Sequence, residues 1–122
     1  MRFALGLAVG MAIVALAATA QAGPYDGTYM GTSLSLSGTS TGGKGNVCTT
    51  TATAPAPLMI ANGHAQTKWG TGTLQGDVGP DGKLIMHSEL AGRFEGQIDA
   101  SGAVRGYYQG TCVFNLAWQR RG

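Results

Sequence analysis

Between residues 72 and 118 the chain alternates between apolar and polar positions with a period of two. The segment at 72–78, which reads GTLQGDV, is echoed twenty residues later by GRFEGQI at 92–98. A period of two is typical of a β-strand with one dry face, and a repeat of this length fits a unit of two short strands. The pattern therefore predicts consecutive antiparallel hairpins.

Each repeat contains a three-residue turn that ends in glycine, Pro80-Asp81-Gly82 in the first and Ala100-Ser101-Gly102 in the second. The third position of such a turn is left-handed, which glycine adopts without strain. Counting outward from these turns fixes the register, and a slip by one residue would turn every side chain to the other face. The predicted apolar pairs are Val78 with Leu84, Phe94 with Tyr108 and Ile98 with Val104. The predicted polar pairs are Gln75 with His87, Glu95 with Tyr107 and Gln97 with Arg105.

Strands are also predicted upstream of the repeat and after it. The region 25–37 is expected to be a strand with Met30, Leu34 and Leu36 on one side, and threonine-rich 48–54 is expected to be another. The Asn62-Gly63 turn predicts a hairpin of 58–60 with 65–69. Alternation from 104 to 118 is too long for one strand, so a break is expected near Gly110.

The predicted fold class is all-β, a small antiparallel meander of about eight strands. A closed or nearly closed barrel is favoured because closure removes exposed strand edges, and a two-sheet sandwich is the alternative. After residue 22, no window carries an apolar stripe with helical spacing.

Residues 1–22 have the features of a secretory signal peptide, and 23–122 are expected to form a single barrel-like domain. Arg2 supplies the positive charge, 3–18 form an apolar stretch, and Ala20-Gln21-Ala22 is a small-x-small cleavage signal. The stretch is shorter than the ~20 residues that span a bilayer, which disfavours a membrane anchor. The leader is typical of bacterial export, so the periplasm or the extracellular medium is the expected location, with no stable membrane insertion after cleavage.

The expected export determines the expected oxidation state of Cys48 and Cys112, the two cysteines of the chain. An oxidising compartment would pair them, and the sequence has no Cys-x-x-Cys motif to suggest a redox site. Closing a loop of this length stabilises a protein by about 4 kcal/mol in the chain-entropy model. We therefore expect one structural disulfide.

Charge and composition exclude several classes of function. The net charge is +2, and it falls to +1 without Arg2, which argues against nucleic-acid binding. His64 and His87 have no second ligand nearby in sequence, so neither a metal nor a cofactor is expected. No Gly-x-Ser-x-Gly motif occurs, and the acidic side chains fit a solvated sheet surface, so catalysis is not expected.

Two groups of residues are candidates for a binding role. The first is a patch on the predicted wet face, with Trp69 as a second anchor near a strand end. Its members are His87, Arg93, Glu95, Arg105 and Tyr107. The second group, Phe94, Tyr108 and Trp118, faces inward beside several glycines. These glycines either make room for the aromatic rings or leave a pocket for a small ligand.

In layout the chain resembles small periplasmic barrels with one disulfide, including inhibitors of secreted proteases. The resemblance involves no motif and transfers no residue. The expected function is a non-catalytic exported domain with a binding or envelope-associated role, whose partner is an unknown protein or small molecule. The alternative is a lipocalin-like carrier of a small apolar ligand. A protease-inhibitor-like barrel and a hydrolase without a recognisable motif are minor alternatives.

Overall fold

The computed structural model describes residues 23–39, 48, 50–89 and 91–121. Each strand pairs antiparallel with the next along the chain, and the last pairs with the first to close a barrel. The predicted all-β class and the barrel are thereby confirmed, and the two-sheet alternative is wrong. The strands are β1 (Gly27–Thr39), β2 (Leu58–Ala61), β3 (His64–Trp69), β4 (Gly72–Val78), β5 (Lys83–Ser88), β6 (Arg93–Ile98), β7 (Ala103–Gln109) and β8 (Cys112–Arg120).

The first 22 residues lie outside the described part of the chain, so the signal peptide stays a prediction. In the residues that are described, no helix is long and apolar enough to cross a membrane.

The predicted registers of the two repeat hairpins are confirmed. Phe94 lies opposite Tyr108 in β6–β7, and Val78 lies opposite Leu84 in β4–β5. The turn glycines are left-handed as expected, with φ of 88° at Gly82 and 86° at Gly102. Turn chemistry and alternation therefore determine this half of the barrel together.

The apolar side of β1 differs from the prediction. Tyr29 is fully buried, whereas Met30 is 37% exposed and does not share a face with Leu34. The pairing of β1 with β8 is irregular between Gly31 and Ser33, where one extra residue bulges from β1. Such a bulge reverses the alternation, so odd positions face inward before it and even positions after it. Leu36, near the end of the strand, is 41% exposed.

The predicted strand at 48–54 is also wrong, since none of its described residues belongs to a strand. Instead the chain packs between β1 and β3. The carbonyl oxygen of Ala56 accepts hydrogen bonds from Trp118 Nε1 at 2.8 Å and from Thr67 Oγ1 at 3.1 Å. Both donors are buried inward-facing side chains, so this segment closes one end of the barrel. Pro55 and Pro57 lack the N–H groups that a regular strand would use.

Aromatic rings and close backbone contacts fill the barrel interior. Phe94 meets Trp118 edge to face, with ring centroids 5.5 Å apart. A Cβ atom at either Gly96 or Gly106 would lie 2.7 Å from the Phe94 ring. These glycines therefore face a ring rather than an open space. The buried core consists of Tyr29, Leu58, Ile60, Ala65, Leu74, Leu84, Met86, Phe94, Ile98, Val104, Tyr108, Leu116 and Trp118.

The predicted disulfide joins Cys48 to Cys112, with a Cα–Cα distance of 5.7 Å. It ties the segment that follows β1 to the first residue of β8. A disulfide-bonded barrel is compatible with an exported protein, because disulfides persist in oxidising compartments.

Candidate functional site

Strands β5, β6 and β7 bring five of the predicted binding residues onto one outer face of the barrel. His87 lies opposite Arg93, and Glu95 lies opposite Tyr107. Arg105 precedes Tyr107 by two residues on β7, so the two side chains lie on the same face. We call this surface the outer patch; it consists of His87, Arg93, Glu95, Arg105 and Tyr107.

Glu95 is the electrostatic centre of the outer patch. Its Oε1 atom lies 3.2 Å from Arg93 Nη1, and its Oε2 atom lies 3.1 Å from Lys83 Nζ. The hydrogen bond from Lys83, together with the positive charges of Lys83 and Arg93, holds the pKa of the Glu95 carboxyl below its usual value, while burial opposes this shift. Lys83 was not among the predicted site residues; its outward position on β5, diagonal to Glu95, is the signal that could have identified it.

The lowered pKa of Glu95 gives a testable dependence on pH. A carboxyl whose pKa is lower in the folded state stabilises the fold above its unfolded-state pKa, and this contribution disappears as the pH falls through the folded-state value. We expect Glu95→Gln to lower the melting temperature near pH 7, and we expect this difference to disappear once the pH has fallen below the folded-state pKa of Glu95. Thermal unfolding of both proteins followed by circular dichroism measures the difference. A difference in melting temperature between the two proteins that does not change with pH would contradict the electrostatic explanation.

Tyr107 is the exposed aromatic residue of the outer patch, with 42% of its surface accessible. Beside it a groove of about 680 Å³ runs between β7 and the bulge of β1. Ala117 lies opposite Arg105, and its short side chain contributes to the depression. The lining of the groove includes the polar residues Thr32 and Ser33 of β1 and Asn115 and Gln119 of β8.

Trp69 does not join the outer patch, although it was predicted as its second anchor. Its ring centroid is 4.6 Å from that of Tyr108 and 5.6 Å from that of Phe114. Tyr108 points into the barrel, because it follows the outward-facing Tyr107 and successive residues of a strand face opposite sides. Trp69 therefore belongs to the end of the barrel that segment 50–57 closes.

The three predicted interior residues lie in one buried core. Tyr108 is buried against Trp69, and a Cβ atom at Gly92 or Gly110 would collide with the Tyr108 ring. Phe94 and Trp118 make the edge-to-face contact described above. These contacts favour the interpretation that the inward glycines make room for rings.

Outside the outer patch, one further pair of basic and acidic side chains in the described part of the chain joins His64 to Asp77. Nδ1 of His64 lies 3.4 Å from Oδ1 of Asp77, and Nε2 of His64 lies 3.3 Å from Oε1 of Gln75. This pair is well exposed on the outside of β3 and β4. Over the described ranges, no group of three or more His, Cys, Asp or Glu side chains is placed to hold a metal ion.

Comparisons with protein-family models, with curated proteins and with solved structures find no match for this chain. What its surface can bind is therefore inferred from its own residues.

Proposed function

We propose that this protein is a non-catalytic binding domain, exported to the periplasm or the extracellular medium, that contacts a partner protein through the outer patch. The observation that carries the proposal is the exposed ring of Tyr107, which stands between the groove and the ion pairs of Glu95. Tyrosine and arginine are the residues that most often dominate binding energy at protein interfaces.

The charges around Tyr107 support this role. Arg93 is held by Glu95, so a partner would meet it in a defined position and would lose less side-chain entropy on binding. In the described part of the chain Arg105 forms no ion pair within 4 Å, although its charge contributes to the lowered pKa of Asp99, so its guanidinium donors are open to a partner carboxylate. A partner with an acidic residue beside an apolar contact would therefore complement this surface.

The alternative of a carrier with its ligand inside the barrel is less well supported. Phe94, Tyr108 and Trp118 are buried against one another or against glycines, which leaves little space near them for a ligand. A hydrolase would need converging catalytic groups, and the acidic residues of the outer patch and of the turns are instead engaged in ion pairs and backbone capping.

Site-specific photocrosslinking in intact cells tests the proposal. A photoreactive benzoylphenylalanine in place of Tyr107 should give a discrete adduct with one partner after irradiation. The same residue in place of Gln66 is the matched control, because Gln66 is also exposed but lies on β3, across the barrel. No adduct of that size is expected from the control position.

A second set of variants links the adduct to the chemistry of the outer patch. Arg93→Ala and Arg105→Ala, added to the protein with the crosslinker at residue 107, should reduce the adduct at least tenfold while thermal unfolding shows a folded barrel. Equal adducts from residues 66 and 107, or an adduct that survives both arginine substitutions, would contradict the proposed interface.

A further inference from the structure

A separate cleft of about 460 Å³ opens at the end of the barrel that segment 50–57 closes. Its walls are largely apolar, and two of them are the half-buried rings of Trp69 and Phe114. We call it the mouth cleft; its principal lining residues are Leu34, Ala54, Pro55, Lys68, Trp69 and Phe114. Its volume lies within the range of small-molecule sites, and none of its lining residues belongs to the outer patch.

Long-range contacts hold both walls of the mouth cleft in place. The backbone N–H of Leu34 donates to the carbonyl of Thr53 at 2.9 Å, which attaches segment 50–57 to β1. The carbonyl of Ala56 accepts from Trp118, which attaches the same segment to β8. The opposite wall is held by the contacts of Trp69 with Tyr108 and Phe114. A ligand would therefore enter a cleft that is already formed, at little cost in ordering the protein.

Lys68 gives this apolar cleft one positive charge. It lies at the rim, where the cleft meets the outer surface of β3. In the described part of the chain no carboxylate forms an ion pair with Lys68. An apolar cleft with a single unpaired cation at its rim complements a molecule with an apolar body and one negative charge.

We propose that the mouth cleft binds a small amphiphilic carboxylate. Its apolar body would pack against Trp69 and Phe114, and its carboxylate would pair with the ammonium group of Lys68. Most of the affinity would come from the apolar contact, because an exposed ion pair contributes little. The charge would instead select an acid over a neutral molecule of the same shape.

Titration with 2-naphthoate, and with 2-naphthylmethanol as its neutral counterpart, tests this site by NMR. The protein has two tryptophans, so its indole N–H groups give two resonances. The Trp69 resonance should shift in a saturable manner with naphthoate. The Trp118 resonance should shift much less, because its indole is buried and bonded to Ala56.

Charge variants then test the role of Lys68. Lys68→Gln should weaken naphthoate binding about threefold and leave naphthylmethanol binding unchanged. Lys83→Gln is the matched control, since Lys83 lies on β5 and pairs with Glu95 outside the cleft. It should change neither affinity. Loss of both ligands to the same degree in Lys68→Gln would overturn the assignment of the carboxylate to Lys68.

A filling variant tests the location. Ala54 is half-buried in the wall, so Ala54→Leu should abolish the Trp69 shift while the protein stays folded by thermal unfolding. Absence of any saturable shift in the unaltered protein, or a shift that persists in Ala54→Leu, would overturn the proposal. Tyr107→Ala should leave naphthoate binding intact, so failure of the outer patch and failure of the mouth cleft are distinguishable.

Discussion

Replacing Cys48 and Cys112 together with alanine is expected to lower the free energy of unfolding by about 4 kcal/mol. The two residues are 64 positions apart in sequence, so the disulfide removes many conformations from the unfolded chain. Domains of this size have a net stability of about 5–15 kcal/mol, so the loss is a large part of the total. Urea unfolding followed by tryptophan fluorescence measures it through the shift of the midpoint.

Reduction of the unaltered protein provides the matched comparison. Unfolding in the presence of a reductant should give the same midpoint as the Cys48→Ala/Cys112→Ala protein, because both remove the same constraint. The single variant Cys48→Ala should behave like the double variant in a reducing buffer. A loss below about 1 kcal/mol would contradict the expectation and would mean that the barrel closes without help from the disulfide.

The second half of the barrel could be predicted from the sequence because two independent signals agree there. The turns ending in Gly82 and Gly102 fix which residues face each other, and the alternation fixes which face is dry. The observed pairing of Phe94 with Tyr108 and of Glu95 with Tyr107 follows from the two signals together. The break near Gly110, predicted from the length of the alternation, is confirmed, because β7 ends at Gln109 and β8 begins at Cys112.

In the first half, the hairpin of β2 and β3 around the Asn62-Gly63 turn was predicted and is confirmed. The inward face of β1 and the path of segment 50–57 could not be predicted, because the interactions that determine them are not local. The bulge between Gly31 and Ser33 depends on how β1 meets β8, whose paired residues Trp118 and Ala117 lie more than eighty positions away in sequence, so the alternation of β1 alone predicts the wrong face. Segment 50–57 contains threonines that favour strands. Its path is instead set by Trp118 and Thr67, which donate to Ala56. Such contacts have no periodic signature.

The candidate sites likewise differ in whether the sequence could predict them. The outer patch could be predicted because its residues lie on strands whose register was known. Trp69 was assigned to the wrong surface, because its position at the end of β3 leaves its direction to tertiary contacts with Tyr108 and Phe114. The mouth cleft depends on an irregular segment, so no pattern along the chain indicates it.

Gly96→Ala is expected to destabilise the barrel by about 3 kcal/mol, as overpacking of a filled core does. A Cβ atom at this position would lie 2.6 Å from the carbonyl oxygen of Arg105 and 2.7 Å from the ring of Phe94. The backbone of β7 cannot retreat without breaking its pairing with β6, and the Phe94 ring is held by Trp118. Thermal or urea unfolding measures the loss.

Gly79→Ala separates this steric effect from the general cost of replacing a glycine. The Cβ atom of that variant would meet only the Asp81 side chain at 3.2 Å and the Lys83 carbonyl at 3.7 Å, so its cost should stay below about 1 kcal/mol. Adding Phe94→Leu to Gly96→Ala should cost less than Phe94→Leu costs alone in the unaltered protein, because the smaller side chain makes room for the new methyl group. If Gly96→Ala were no more harmful than Gly79→Ala, the interior would have space beside Phe94. The carrier interpretation would then be favoured over a filled core.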